Sequence, residues 1–216
     1  MSYLNKTRII PTIFSHNKKE FDYKLNKLVL IAKKLQIDFM DGVFVPGKSV
    51  EPRFIPDLSE FNNIFEAHLM VMNPIGFFEK IKDKGFKKII FHLESFTSVD
   101  SALNFFNDLK KQKIIPVLAV NPLTRLDELI IMSFDFFLIM GVQPGKEKQC
   151  LKESVFNKIS QIKKLNPGAK IQVDGGVNPK NSSKLFKAGV DYLNSGSFIS
   201  ESDDPRKALL DLLKEV

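Results

Sequence analysis

The chain has 216 residues, 44% hydrophobic and 26% charged, an ordinary soluble globular composition that suits one domain over 1–216. No apolar run approaches the roughly 18 residues that span a bilayer, "MSYLNKTRIIP" has no signal-peptide core, and the single cysteine, Cys150, excludes an internal disulfide, so no membrane partner and a reducing cytoplasm are expected. The net charge of +7 comes from lysines spread among acidic residues without a nucleic-acid recognition motif; they read as solvated helix faces whose excess steers a small anionic substrate, not nucleic acid.

In chain order, short apolar runs alternate with longer amphipathic stretches. "RIIPTIF" (8–14) predicts a first strand, followed by a helix in "KKEFDYKLNKLVLIAKK" (18–34). "LQIDF" (35–39) predicts the second strand, and the segment after Val50 is less regular, with a weak helical pattern. "FEAHLM" (65–70) precedes the helix-like "PIGFFEKIKDKG" (74–85), and "KKIIFHL" (87–93) precedes "SVDSALNFFNDLKKQ" (98–112). "IIPVLAV" (114–120) precedes "PLTRLDELIIMS" (122–133), and "FFLIM" (136–140) precedes "VFNKISQIKKLN" (155–166). "KIQVD" (170–174) leads to "NPKNSSKLFKAG" (178–189), where a proline stands early and a glycine closes the helix. "DYLNSG" (191–196) leads to "DDPRKALLDLLKEV" (203–216), with an acidic cap region and a first-turn proline.

Strand-length runs alternating with helices predict βαβ units and a parallel sheet. Eight units in this length fit a single (β/α)8 TIM barrel, whereas a doubly wound sheet would carry a glycine fingerprint where this chain has "SHNKKEF". A barrel of this kind places its reactive groups at the C-terminal ends of strands. Those ends here carry Thr12 and Ser15, Asp38 and Asp41, His68, His92 and Glu94, Asn121, Gln143, Asp174, and the segment from Ser195 to Ser197. Glycines after the last two strands, Gly175 and Gly176 in "DGGV" and Gly196 with Ser197 in "SGSF", let backbone amides approach an anion, the usual place for phosphate in such barrels.

The stretches "QIDFMDGVFVP", "AHLMV", "IIFHLES", "LAVNPLT", "VDGGV" and "SGSFISESDDPRKAL" stand in an order and spacing that resembles the ribulose-phosphate 3-epimerase family, almost end to end. The resemblance implies a ribulose-phosphate-binding barrel that inverts C3 of a ketose phosphate, chiefly D-ribulose 5-phosphate to D-xylulose 5-phosphate. It implies Asp38 and Asp174 as the acid–base pair, one removing a proton and the other returning one to the opposite face through an enediolate. It also implies one divalent metal ion (iron, zinc, manganese, cobalt or magnesium) held by Asp38, His68 and Asp174, with methionines at Met40, Met70 and Met140 as a dry cap over the substrate. His92 and Glu94 read as supporting groups. Asp41 reads as a support for the turn that aims Met40 and Asp38.

Four positions depart from the family pattern. Gln36 stands where the family carries a second histidine ligand, so its place among the metal ligands is doubtful and three outcomes are open: a weaker site preferring manganese or magnesium, a three-ligand site completed by water, or no metal. The loop after the sixth strand reads "PGKEKQ" in place of a glycine-rich segment, keeping Gly145 and introducing Lys146 and Lys148 as possible phosphate contacts. Thr12 replaces a serine and keeps the hydroxyl toward substrate; Asn17 replaces an aspartate. Two rivals remain: a 3-epimerase of a ketohexose 6-phosphate such as allulose 6-phosphate, with the same chemistry in a pocket of different length, and a barrel that binds sugar phosphate without turnover. Family dimers and hexamers make a homo-oligomer plausible.

Overall fold

The computed structural model describes residues 8–145 and 150–214. Eight strands, β1 (Ile9–Ile13), β2 (Lys34–Met40), β3 (Ile64–Met70), β4 (Lys88–His92), β5 (Ile115–Val120), β6 (Phe136–Met140), β7 (Lys170–Asp174) and β8 (Tyr192–Ser195), pair in parallel in sequence order. β8 returns to β1, with Ile10 opposite Asn194, so the sheet closes into a barrel. Among the described residues the helices are α1 (Lys18–Leu28), α2 (Pro74–Phe78), α3 (Val99–Lys111), α4 (Glu128–Ser133), α5 (Ser154–Leu165), α6 (Pro179–Lys187), α7 (Ser197–Ser200) and α8 (Pro205–Leu213).

Local chemistry sets where these helices begin. Asn17, Asn73, Ser98, Asp127, Asn178 and Asp204 each accept a first-turn backbone N–H through the side chain, and Pro74, Pro179 and Pro205 occupy first-turn positions that need no N–H. Asn17, one of the four departures, thus caps α1 by accepting from Glu20 N.

Several elements are shorter than periodicity suggests. α1 stops at Leu28, and Lys34 already belongs to β2. The stretch after Val50 forms two three-ten turns, 52–54 and 58–60, instead of a helix. "PIGFFEKIKDKG" is helical only to Phe78 and then tightens into a turn that ends on Gly85 at φ +86°, packed so closely on Ser59 that a Cβ would lie 2.7 Å from its backbone nitrogen. α4 starts only at Glu128, because Asp127 caps it and the residues after Pro122 form a turn.

Alternation along each strand divides side chains between two cores. Leu35, Ile37 and Phe39 of β2, Phe65, Ala67 and Leu69 of β3, and Ile89 and Phe91 of β4 pack outward under the helices in the large core. Ile90, Val117, Ala119, Phe136, Leu138 and Met140 form a separate apolar cluster lining one side of the barrel interior. Across from it the interior is polar, holding Gln36, His68, His92, Gln172, Asp174 and Asn194, all buried. The floor is closed by a buried triad: Lys88 Nζ lies 2.6 Å from Glu66 Oε1 and donates to Gln172 Oε1, while Gln172 Nε2 donates to Glu66 Oε2 at 2.9 Å. The Lys88 ammonium also lies over the rings of Phe136 and Tyr192, so a charge that would be costly alone is paired and stacked.

Phe91 is fully buried, with ring centroids 4.9 Å from Phe105 and 5.4 Å from Phe96. Phe91→Ala should lower stability by about 3–5 kcal/mol in urea denaturation, the cost of lost burial plus a cavity that rigid neighbours do not fill.

Candidate functional site

Strand register assembles the site. Thr12 pairs with Gln36, Asp38 with His68, Met40 with Met70, Met140 with Asp174, and Asp174 with Asn194, so side chains from six strands meet inside the C-terminal end of the barrel. His68 Nδ1 lies 3.2 Å from Asp38 Oδ1 and 3.4 Å from Asp174 Oδ2. The ligand-bearing atoms of these three residues all lie within 4.8 Å of one another.

Behind the triad, each polar group holds the next. Gln36 Nε2 donates to Asp174 Oδ2 at 2.6 Å and to Asp38 Oδ1 at 2.9 Å, and Gln36 Oε1 accepts from Asn194 Nδ2 at 2.6 Å. His68 Nε2 faces His92 Nε2 at 3.0 Å, and His92 Nδ1 faces Glu94 Oε2 at 3.3 Å. A carboxylate only accepts, so His92 carries its proton on Nδ1 and its Nε2 accepts from His68. Glu94 Oε1 in turn accepts from Asn121 N and Thr124 Oγ1.

These contacts shift the titrating groups. Burial raises Asp38 to about 6; the Asp174 charge adds to this, while His68 and Gln36 oppose it. Burial disfavours the His68 cation, but hydrogen bonds and charge from Asp174 and Asp38 outweigh it and push His68 up to about 9. Burial and the His68 charge hold His92 below its ordinary value, Glu94 opposing.

The triad opens into a pocket of about 760 Å³ including its mouth, within the size range of small-molecule sites. Thr12, Asp38, Met40, His68, Met70, Met140, Gly145, Asp174, Gly175, Gly176, Gly196 and Ser197, all singled out in the sequence, line it. Gln36 is fully buried beneath it, and Lys146 and Lys148 lie outside the described residues. Met40 and Met70 pack with Val45, Phe14 and Phe44 into a small apolar cluster at the rim. Thr12 Oγ1 is buried without a protein partner. Asp41 Oδ1 accepts from Val43 N and Phe44 N, and Oδ2 from Met72 N, so it ties the loop after β2 to the loop after β3. At the other side, Gly141 N donates to Asp174 O at 2.6 Å, and a Cβ on Gly141 would lie 2.1 Å from Gly175 O.

Sequence reading missed Phe14, Val142, Pro144 and Ser200 of the pocket wall. It also missed Asn194, whose signal was the alternation in "YLNS" that places residues 192 and 194 on one face.

Two carboxylates and an imidazole with converging donor atoms fit a divalent metal ion. Gln36 does not fit as a ligand in the orientation found: its oxygen is bound to Asn194 and its N–H groups face the triad. The cause of that orientation is two carboxylates that need donors.

Over residues 8–200 the chain matches the family described as the Ribulose-phosphate 3 epimerase family. It is 32% identical over 203 residues to a ribulose-phosphate 3-epimerase of Helicobacter pylori (strain J99), covering 91% of this chain and 90% of that protein. It is 26% identical over 216 residues to the cytoplasmic isoform of ribulose-phosphate 3-epimerase from Oryza sativa subsp. japonica, covering 97% and 94%. Among solved structures, 3-hexulose-6-phosphate synthase from Salmonella typhimurium superposes with a TM-score of 0.72 at 15% identity over 96% of this chain and 97% of that one, a likeness of fold. No helix among the described residues is long and apolar enough to cross a membrane.

Two outcomes are expected. In metal-free protein, native His68 holds a proton to about pH 9 that the unfolded chain releases near 6.5, so its contribution is complete below pH 6.5 and lost between 6.5 and 9. Denaturation midpoints should fall across that window, by up to about 3 kcal/mol, and His68→Gln should flatten the slope; the raised Asp38 acts at lower pH. Gly141→Ala should cost about 1–3 kcal/mol through overpacking, read by thermal melts.

Proposed function

Because this chain belongs to the ribulose-phosphate 3-epimerase family, and is an isomerase that inverts C3 of a pentose phosphate, we propose that it interconverts D-ribulose 5-phosphate and D-xylulose 5-phosphate with Asp38 and Asp174 as its acid–base pair. The observation that carries this reading is the pairing of two carboxylates from β2 and β7 beside one buried imidazole, opening on a single pocket. Inversion needs a base on one face of C3 and a proton donor on the other. Asp174 takes the C3 proton, leaving an enediolate across C2 and C3, and Asp38 delivers a proton to the opposite face; the return reaction exchanges the roles. A carboxyl raised to about 6 retains a protonated fraction near neutral pH, which suits Asp38 to donating.

Asp38, His68 and Asp174 would hold a divalent metal ion, whose charge beside the C2 and C3 oxygens would supply several kcal/mol of stabilisation. Met40, Met70 and Met140 keep water from the reacting carbon, so that Asp38 and not water protonates the enediolate. Thr12 Oγ1, buried and without a protein partner, offers its hydroxyl to a substrate oxygen. Gly175, Gly176, Gly196 and Ser197 at the ends of β7 and β8 form the phosphate end, where φ of +98° at Gly175 and +72° at Gly176 turns the backbone toward the pocket.

Proton exchange at C3 of ribulose 5-phosphate in heavy water, followed by NMR, tests the reading. Metal-loaded protein should incorporate deuterium at C3, and Asp38→Asn and Asp174→Asn should each lower the rate by about 10²–10⁴-fold. No exchange with iron, zinc, manganese, cobalt or magnesium would overturn the substrate assignment. Exchange with allulose 6-phosphate instead would move the substrate to a ketohexose, and stabilisation by sugar phosphates without exchange would mark a binding barrel.

A further inference from the structure

Gln36 Nε2 is in contact with the same three atoms that converge as metal donors: Asp174 Oδ2 at 2.6 Å, Asp38 Oδ1 at 2.9 Å and His68 Nδ1 at 3.4 Å. An amide N–H pair faces two carboxylates favourably, but the same group cannot face a cation. The amide oxygen points the other way, onto Asn194 Nδ2 at 2.6 Å. Asn194 is fully buried, and its own Oδ1 has no hydrogen-bond partner among the described residues. A buried acceptor without a partner is costly, and here it sits on the residue that holds Gln36.

We propose that Gln36 and Asn194 form a coupled pair of amide rotors that positions the cation site: without a cation Gln36 turns its N–H groups to Asp38 and Asp174, and with one both amides turn over together. After the turn Gln36 Oε1 faces the cation, and Gln36 Nε2 donates to the Asn194 Oδ1 that now lacks a partner. The terminal torsions of Gln and Asn are broad and two-fold, and a half-turn exchanges atoms of nearly equal size, so the two end states occupy the same volume even where both residues are fully buried. Either state leaves one polar atom of Asn194 without a partner, so the turn is balanced at that end. At the other end the cation replaces two hydrogen bonds to carboxylates. Cation entry therefore competes with an internal donor, and the amide oxygen it gains is a weaker ligand than an imidazole nitrogen at position 36 would be for a metal such as zinc. Gln36 and Asn194 act as positioning residues for the cation and do not transfer the proton. The inference rests on the reading that Asp38, His68 and Asp174 take a divalent cation.

The test uses the full chain, stripped of metal and titrated with zinc or magnesium, both diamagnetic. Side-chain amide resonances of Gln36 and Asn194 are followed by ¹H–¹⁵N NMR, with Gln36→Glu and Asn194→Asp used only to assign them. Both amide pairs should shift together, at the stoichiometry found by calorimetry. Calorimetry on variants separates a rotor from a fixed plug: Gln36→Leu should weaken binding at least about tenfold if the amide oxygen turns to the cation, and Gln36→His should tighten it by a similar factor. Tighter binding in Gln36→Leu, or cation binding with the Asn194 amide unmoved, would overturn the rotor and leave the cation site standing. No binding in either the wild type or Gln36→His would overturn the cation reading itself. The NMR arm uses the unaltered site, so a variant that fails to fold does not remove the test.

Discussion

Two carboxylates held within 4.8 Å of each other in a largely buried pocket repel, and the polar half of the barrel is organised around that repulsion. His68 answers it with positive charge, and Gln36 answers it with two N–H groups. Each needs its own support, which is why His92 and Glu94 stand behind His68, and Asn194 behind Gln36. Remove the two aspartates and none of these buried polar groups has a reason to be inside an apolar barrel.

The same constraint accounts for the lopsided interior. β4, β5 and β6 contribute Ile90, Val117, Ala119 and Leu138 as an apolar wall, whereas β2, β3, β7 and β8, joined by His92 at the end of β4, contribute the polar network around the aspartates. The apolar wall lowers the dielectric around the carboxylates, so the charge contacts across the site are stronger than they would be in water. The raised value of Asp38 is one result, burial setting it and the Asp174 charge adding to it.

Much of this was legible in the sequence. Apolar runs at strand length gave the order of the eight strands, the rule that barrel chemistry sits at strand C-termini put Asp38, His68 and Asp174 among the polar residues of one rim, and the family resemblance singled those three out of that rim. What was not legible depends on contacts across the barrel. Nothing in "LQIDF" says that Gln36 is a donor to two acids; that needs the register of β2 against β3 and the reach of β7 across the interior. Asn194 sits inside a short strand beside more conspicuous serines and a glycine, and its role exists only through Gln36. Lys88 stands at a strand start, and only the structure shows it buried in the floor, because the first residue of a barrel strand can face inward as easily as outward. The helices were overextended in the sequence reading for a related reason: amphipathic spacing continues into turns that also have one buried side.

The ion-paired floor has a further consequence. Lys88, Glu66 and Gln172 form a closed ring of bonds sealed by the faces of Phe136 and Tyr192, so the barrel is a vessel open at one end. Sugar, water and solvent protons all enter and leave by the mouth that the methionines narrow. A bound substrate therefore acts as the stopper of its own reaction vessel, and the time a labile hydrogen spends inside is set by how long the sugar stays.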